Sequence, residues 1–163
     1  MLKIGLDIDD TLATFWSHYV NKFGYPKNDY EITKNVMRKL RYNKEFWINL
    51  DVANTIDFIP ELYCTKRVNP KEYTKQWLSN KGFPKRPIYQ MLFQGGNKAT
   101  MIKGKIDVFI DDSISNFEMM NASGVPCLLI DAPQNQGYDT TLRIYSLNYT
   151  EILNTYNNGF DKN

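Results

Sequence analysis

The sequence predicts an α/β fold, a mostly parallel five-stranded sheet flanked by helices. Three features predict it: short apolar runs recur along the chain, segments with helical spacing lie between them, and acidic residues collect where the runs end. Residues 2–8 (LKIGLDI) are mostly apolar and finish in carboxylates, which reads as a buried strand. Similar runs at 62–64, 88–93, 107–110 and 126–130 complete the five. Asn69 and Pro70 supply an N-cap and a proline at the first helical position; Tyr73, Trp77 and Leu78 follow at helical spacing, and Gly82 supplies the stop. Ser115 with Glu118 predicts a capping box for the next helix, which Gly124 closes. Asn148 with Glu151 starts a last helix toward Tyr156, and residues 157–163 read as a frayed polar tail.

The stretch between the first two strands is too long for a simple crossover. Residues 13–50 hold two helical patterns, near 13–23 and 33–49, separated by the turn-rich segment GYPKND at 24–29. They read as a small helical cap inserted over the strand ends, which leaves residues 1–12 and 51–156 as the α/β core.

Composition narrows the class. With 163 residues, 42% hydrophobic and 23% charged, the chain suits a folded soluble domain and is too short for two of ordinary size. No apolar run approaches the roughly 18 residues of a membrane span, and Asp7, Asp9 and Asp10 come too early for a signal peptide. A cytoplasmic location, away from membranes, is the expectation. Cys64 and Cys127 lie in apolar runs without zinc-ligand or redox spacing and are assigned no chemistry. The net charge of +2 conceals a gradient: residues 1–105 carry 18 Lys/Arg against 10 Asp/Glu, and residues 106–163 carry 2 against 8. A basic front half suits an anionic substrate and an acidic back half suits a cation, although a coding bias toward Lys and Asn would produce the same excess.

Asp7, Asp9 and Asp10 place three carboxylates within four positions at the end of a buried strand. Acids so crowded repel one another, and a cation relieves the repulsion. Asp111, Asp112 and Ser113 repeat the pattern after a second apolar run. If the two strands are neighbours, up to five carboxylates converge. Oxygen donors without His or Cys favour Mg²⁺ over zinc. Read singly, Asp-Asp-Ser is more readily a helix N-cap than a site; the order of the two clusters, with Thr65, Lys66 and Arg67 after an intervening strand, favours a site.

This order resembles the haloacid dehalogenase (HAD) superfamily of phosphotransferases, whose motifs are DxDx(T/V), a strand-terminal Ser/Thr, a Lys and a terminal acidic pair. They read here as DIDDT at 7–11, YCTKR at 63–67, Lys98, and DVFIDD at 107–112. The resemblance implies a Rossmann-like fold in which Asp7 attacks phosphorus and becomes an aspartyl-phosphate, while Asp9 protonates the leaving oxygen and then deprotonates water. It further implies that Thr65 and the Lys66 amide hold phosphate oxygens, that Lys98 neutralises charge on the transferring group, and that Mg²⁺ is held by the Asp7 carboxylate, the Asp9 carbonyl and Asp111 or Asp112. Which of that pair binds directly is open at this level. Lys98 follows a Gly95-Gly96-Asn97 loop and is preferred to Lys103 on motif position.

Substrate choice points to the insertion. Between positions 15 and 47 there are 9 aromatics in 33 residues, about twice the chain average, interleaved with seven Lys and Arg residues. Such rings can stack a flat base at about 1–3 kcal/mol each, or can simply form the insertion's own core. Phe15 and Trp16, directly after the catalytic loop, are the best candidates for substrate contact. The ending LLIDAPQN at 128–135, Arg143, the NYTEIL segment at 148–153 and the aromatic insertion resemble the 5'(3')-deoxyribonucleotidase branch, with a shorter cap and with Thr11 and Lys66 as departures. That implies a magnesium-dependent nucleoside monophosphatase with a small-molecule phosphomonoester as partner and no stable nucleic-acid complex; a homodimer is compatible. The alternatives are a phosphatase for polynucleotide ends or for a sugar or other small-metabolite phosphate, and a non-catalytic nucleotide-binding module. His18, a lone histidine on an amphipathic segment, reads as a packing or surface residue.

Overall fold

The computed structural model describes residues 1–92 and 96–160. Phe93 and Gly95, which the sequence places at a strand end and in a loop, lie outside the described residues.

Four apolar runs form the centre of one parallel sheet: β1 (Ile4–Leu6), β2 (Leu62–Thr65), β4 (Val108–Asp111) and β5 (Cys127–Ile130), each buried along its whole length. With β3 (Ile88–Gln90) and β6 (Arg143–Ile144) the order is β3-β2-β1-β4-β5-β6, parallel throughout. The sheet therefore has six strands, and the predicted five omit β6. That strand is two residues long with a half-buried arginine at its start, so it carries no apolar run. Backbone bonds from Leu129 N to Leu142 O and from Asp131 N to Ile144 O secure it.

Residues alternate between the two faces of the sheet. Ile4, Leu6, Tyr63, Val108, Ile110, Leu128 and Ile130 pack on one side, under α4 (Lys71–Asn80) and α7 (Tyr149–Phe160). Leu62, Cys64, Phe109, Cys127 and Leu129 pack on the other, under α5 (Ala99–Ile102) and α6 (Ile114–Ala122). Each Leu or Ile so enclosed contributes roughly 1.5–3 kcal/mol. At Gly5 a Cβ would stand 2.9 Å from the Phe109 ring and 3.0 Å from Ile106, so the close approach of β1 requires glycine.

The segment after β1 holds three helices, α1 (Phe15–Phe23), α2 (Asp29–Asn35) and α3 (Lys44–Ile48). The single pattern expected over 33–49 is broken in two. Residues Val36–Leu40 make a π-helical turn, in which the Arg41 N–H reaches Val36 O five residues back, and Asn43 then caps α3 by accepting from Phe46 N at 3.1 Å. Tyr19, Phe46 and Trp47 belong to the same apolar cluster as β1 and β4.

Three caps differ from expectation. α4 begins at Lys71, and Asn69 donates to Pro70 O and Thr74 Oγ1 instead of capping an N–H. Ser113, two residues before the predicted Ser115, caps α6 through Asn116 N, while Glu118 accepts from the Tyr138 hydroxyl. Asn148 does cap the last helix through Thr150 N, but Glu151 reaches back to Tyr145 N and Ser146 rather than closing a box. That helix runs to Phe160, past the predicted fraying point, because Ile152, Tyr156 and Phe160 keep helical spacing against the core. Among the described residues no helix is long and apolar enough to cross a membrane.

Candidate active site

β1 and β4 are adjacent, and the register Leu6↔Ile110 sets Asp7 beside Asp111. From this pair the chain winds outward through β2 and β3 on one side and through β5 and β6 on the other. The crevice beyond their carboxyl ends is the switch point at which parallel sheets bind ligands. Asp7, Asp111 and Asp112, all buried, each offer an oxygen within 4.8 Å of the others. Lys98, which precedes α5, sends its ammonium between two of them, 2.5 Å from Asp7 Oδ1 and 2.7 Å from Asp111 Oδ2. Lys103 points elsewhere, donating to Ser123 O at 2.8 Å.

Each remaining oxygen has a traceable environment. Asp111 Oδ1 accepts from Ser113 N at 2.9 Å, and Asn116 Nδ2 lies 3.2 Å from both Asp111 oxygens. Asp112 accepts from the Thr11 hydroxyl at 3.3 Å and from Gln134 Nε2 at 2.5 Å. Its main-chain carbonyl takes Asn135 Nδ2 at 2.8 Å, and Asn135 is itself held by Arg143 of β6 at 2.7 Å. Asp7 Oδ2 takes no hydrogen bond from the described residues, and Asp7 lines the cleft.

Three clustered buried carboxylates, two of them bonded to one ammonium, are electrostatically incomplete. Burial pushes the Asp7 carboxyl well above the ordinary carboxylate range; the Lys98 ammonium opposes this, and Asp111 and Asp112 add to it. Burial, followed by the Asp111 charge, raises Asp112 to about 8. Asp10 is raised to about 7 by burial, against the pull of the Trp16 N–H, with the Asp9 and Asp7 charges adding to the rise. Burial alone would lower Lys98, but the facing Asp111 and Asp7 outweigh it and the ammonium is held firmly protonated. An all-oxygen donor set with surplus negative charge and an open cleft beside it fits a hard divalent cation such as Mg²⁺, which keeps waters of its own.

A pH dependence follows. The native metal-free protein keeps a proton on Asp10 from about pH 4 to pH 7 and on Asp112 from about pH 4 to pH 8 that the unfolded chain has released, and the raised Asp7 carboxyl acts in the same direction. The folded state binds more protons over that window, so stability falls as pH rises through it. Melting temperatures at pH 5 and pH 8 check this: the metal-free protein should melt lower at pH 8, and Mg²⁺ should narrow the gap. A metal-free protein more stable at pH 8 contradicts it.

The loop that carries these acids is tightly wound. Asp10 takes a left-handed conformation (φ 57°), which aspartate tolerates, and Leu12 N and Ala13 N both return to Ile8 O. The Asp10 carboxylate then accepts from Trp16 N at 2.9 Å and secures the start of α1, where Thr14 gives no side-chain cap.

Asp9 stands outside the three-carboxylate cluster but lines the same cleft as Asp7. Its carboxylate is gripped by Arg67, with Nη2 2.7 Å from Oδ1 and Nε 3.0 Å from both oxygens. Thr65 ends β2 in the cleft wall and accepts from Arg67 N at 3.2 Å. Lys66 donates to Asn116 Oδ1 at 2.7 Å, and its amine is lowered by burial and by the nearby Lys98 charge. Phe15 lines the same cleft and stacks on Trp47 at 5.7 Å. Trp16 does not join it: it lines a neighbouring hollow with Asn54 and Gln134, its ring near-parallel to Tyr19.

Sequence reading missed Asn116, Gln134 and Asn135 and gave Arg67 no role of its own. Asn116 carried a weak signal, being one turn past the Asp-Asp-Ser cap. Gln134 and Asn135 fell within the LLIDAPQN segment, but nothing local pointed to their roles, since their partners are 22 and 23 residues away in sequence.

No protein-family model matches the chain, and no curated protein matches it in sequence. Among solved structures it is similar to a HAD-superfamily hydrolase from Ehrlichia chaffeensis, at 17% identity over 95% of this chain and 94% of that one, with a TM-score of 0.40.

Proposed function

We propose that the protein is a magnesium-dependent phosphomonoester hydrolase of the HAD superfamily that acts on nucleoside monophosphates through an aspartyl-phosphate on Asp7. The observation that carries this reading is the meeting of the two acidic strand ends: Asp7 and Asp111, 104 positions apart in sequence, share the Lys98 ammonium, and Asp7 Oδ2 takes no hydrogen bond from the described residues at the cleft.

In the first step Asp7 Oδ2 forms a bond to phosphorus and the ester P–O bond breaks. The leaving oxygen takes the Asp9 proton and departs as an alcohol. In the second, water attacks the aspartyl-phosphate, passes a proton to Asp9, and releases inorganic phosphate with Asp7 regenerated. Lys98, Thr65 and the Lys66 amide offset negative charge on the transferring group. Bound Mg²⁺ supplies further charge neutralisation at the phosphate oxygens. It would be held by the carboxylates of Asp7 and Asp112, with the Asp9 main-chain carbonyl. Asp112 rather than Asp111 suits direct contact, because the Asp111 carboxylate already takes Lys98, Ser113 N and Asn116, whereas among the described residues the Asp112 carboxylate accepts only from Thr11 and Gln134.

The cleft supports a small substrate. It is about 270 Å³, lined by the apolar residues Phe15, Ile32, Val36 and Trp47 and by the polar residues Lys66, Ser115 and Asn116. The apolar residues suit a nucleobase or sugar face, and the polar ones suit phosphate. A second reading, cleavage at polynucleotide ends, is favoured by one feature: Tyr25, Tyr30 and Tyr42 stand exposed on the basic insertion, with Arg41 over the Tyr42 ring.

The test is phosphate release with Mg²⁺ or with chelator, across deoxynucleoside monophosphates, sugar phosphates and 3'-phosphorylated oligonucleotides. The highest kcat/KM is expected for a nucleoside monophosphate, with loss on chelation. Preference for oligonucleotides, with steep salt dependence, selects the second reading; release from none of them, with nucleotide still bound, ends both.

A further inference from the structure

We propose that Arg67 is the positioning residue of the proton-shuttling carboxyl: it anchors Asp9 chiefly through Oδ1, which takes two N–H donors, and leaves Oδ2, with one shared N–H, to serve the leaving group. The inference rests on the reading of Asp9 as acid and base given above.

The Arg67 side chain is fully enclosed, its guanidinium lying 5.2 Å from the Trp47 ring and 5.4 Å from the Trp77 ring. Both rings are themselves fixed, Trp47 by its indole N–H on Leu40 O at 2.7 Å and Trp77 on Leu50 O at 2.8 Å. The main chain is held as well, with Arg67 N on Thr65 Oγ1 and Arg67 O accepting from Gln90 Nε2 at 2.9 Å. A guanidinium confined in this way has little freedom to swing.

All its hydrogen bonds go to one partner. Nε and Nη2 both point to Asp9, while the buried Nη1 finds no acceptor among the described residues. If Arg67 served only to place a satisfied cation in the core, Nη1 would be expected to have an acceptor too. Within the fork the two Asp9 oxygens are unequal. Oδ1 takes Nη2 at 2.7 Å and Nε at 3.0 Å; Oδ2 takes only the shared Nε. Oδ2 is therefore the oxygen left to carry a proton, and the Asp9 side chain is partly open, at 22% exposure, in the cleft that Asp7 also lines.

An acid that must also act as a base has to present the same oxygen twice, first to the departing alcohol and then to water. Free rotation of the carboxyl would dilute both encounters. Lysine cannot replace the arrangement, because an ammonium offers neither a fork nor a flat face for two indoles.

The experiment compares Arg67→Lys with the wild type, in Mg²⁺, on a deoxynucleoside 5'-monophosphate and on p-nitrophenyl phosphate. Nitrophenolate leaves without a proton, so mispositioning of Asp9 matters less there. The variant should lose about 100-fold in kcat on the nucleotide, and at least tenfold less on the nitrophenyl ester. In an Asp9→Asn background the Arg67→Lys change should add nothing to that discrimination. Equal losses on both esters, or a further change in the double variant, would overturn the proposal. A wild type that hydrolyses neither ester removes the phosphatase reading instead. A second measurement needs no arginine variant: in nitrogen-15 spectra of the wild type, the Arg67 Nε–H should exchange slowly with water and shift in Asp9→Asn. Fast exchange, or a signal indifferent to Asp9, overturns the pairing itself.

Discussion

Asp7→Asn is expected to lower phosphate release by at least about 10⁴-fold, because the amide cannot attack phosphorus and no second carboxylate stands in its place. Asp111 is committed to Lys98, Ser113 N and Asn116, and Asp9 is committed to Arg67. The fold should survive. Asparagine keeps the shape, Lys98 keeps its Asp111 partner, and the substitution removes one of three crowded carboxylates, so the metal-free melting temperature should hold or rise. The measurement pairs steady-state phosphate release with thermal melting. Retained turnover in a folded variant would end the aspartyl-phosphate proposal, whereas a collapsed melting temperature would assign Asp7 a structural role that its open Oδ2 does not suggest.

Lys98→Met should produce the largest stability change. The ammonium bridges Asp7 and Asp111 at 2.5 and 2.7 Å inside the protein, and removing one partner from a buried ionic contact costs about 3–5 kcal/mol. For a chain of this length that corresponds to a melting temperature lower by roughly 6–20 °C in chelator. Divalent cation should recover part of the loss, since it replaces the missing positive charge, and the Mg²⁺-induced stabilisation should exceed that of the wild type. Phosphate release should still fall, as the cation does not supply the lysine's contact. Thermal melts with and without Mg²⁺ check both parts; a variant as stable as the wild type in chelator would mean that the buried pair contributes no net stability.

Much of the architecture was legible because it depends on local chemistry. Residues 4–6, 62–64, 108–110 and 127–130 are apolar throughout, and only a sheet covered on both faces buries such runs completely. The acidic residues at their ends are equally local: DIDDT and DDS stand out wherever they occur. What escaped was of two kinds. β6 has two residues and is defined by backbone bonds to its neighbours, which no side-chain pattern announces. The caps at 69 and 115 were displaced or reassigned because several Ser and Asn residues stand within a turn of each helix start, and tertiary contacts select among them, while Asn148 kept its cap and only its Glu151 partner turned elsewhere.

The aromatic insertion shows how one signal divides. Tyr19, Phe46 and Trp47 became core, Phe15 faces the cleft, and Tyr25, Tyr30 and Tyr42 are exposed. Density along the chain does not distinguish them, because burial depends on which side of a helix meets the sheet. Arg67 illustrates the same limit more sharply. Beside Lys66 it reads as one more basic residue after a strand, yet it lies between two indoles contributed from positions 47 and 77 and grips a carboxylate from position 9.

By itself the amino-acid order determined the alternation of buried strands and helices and the presence of two acidic strand ends, since both follow from periodicity and composition within a few residues. Only the tertiary structure decided which lysine reaches the acids, which carboxyl is held apart from them and by what, and where the sheet stops. Those outcomes depend on distances between residues tens of positions apart, set by strand order and helix packing.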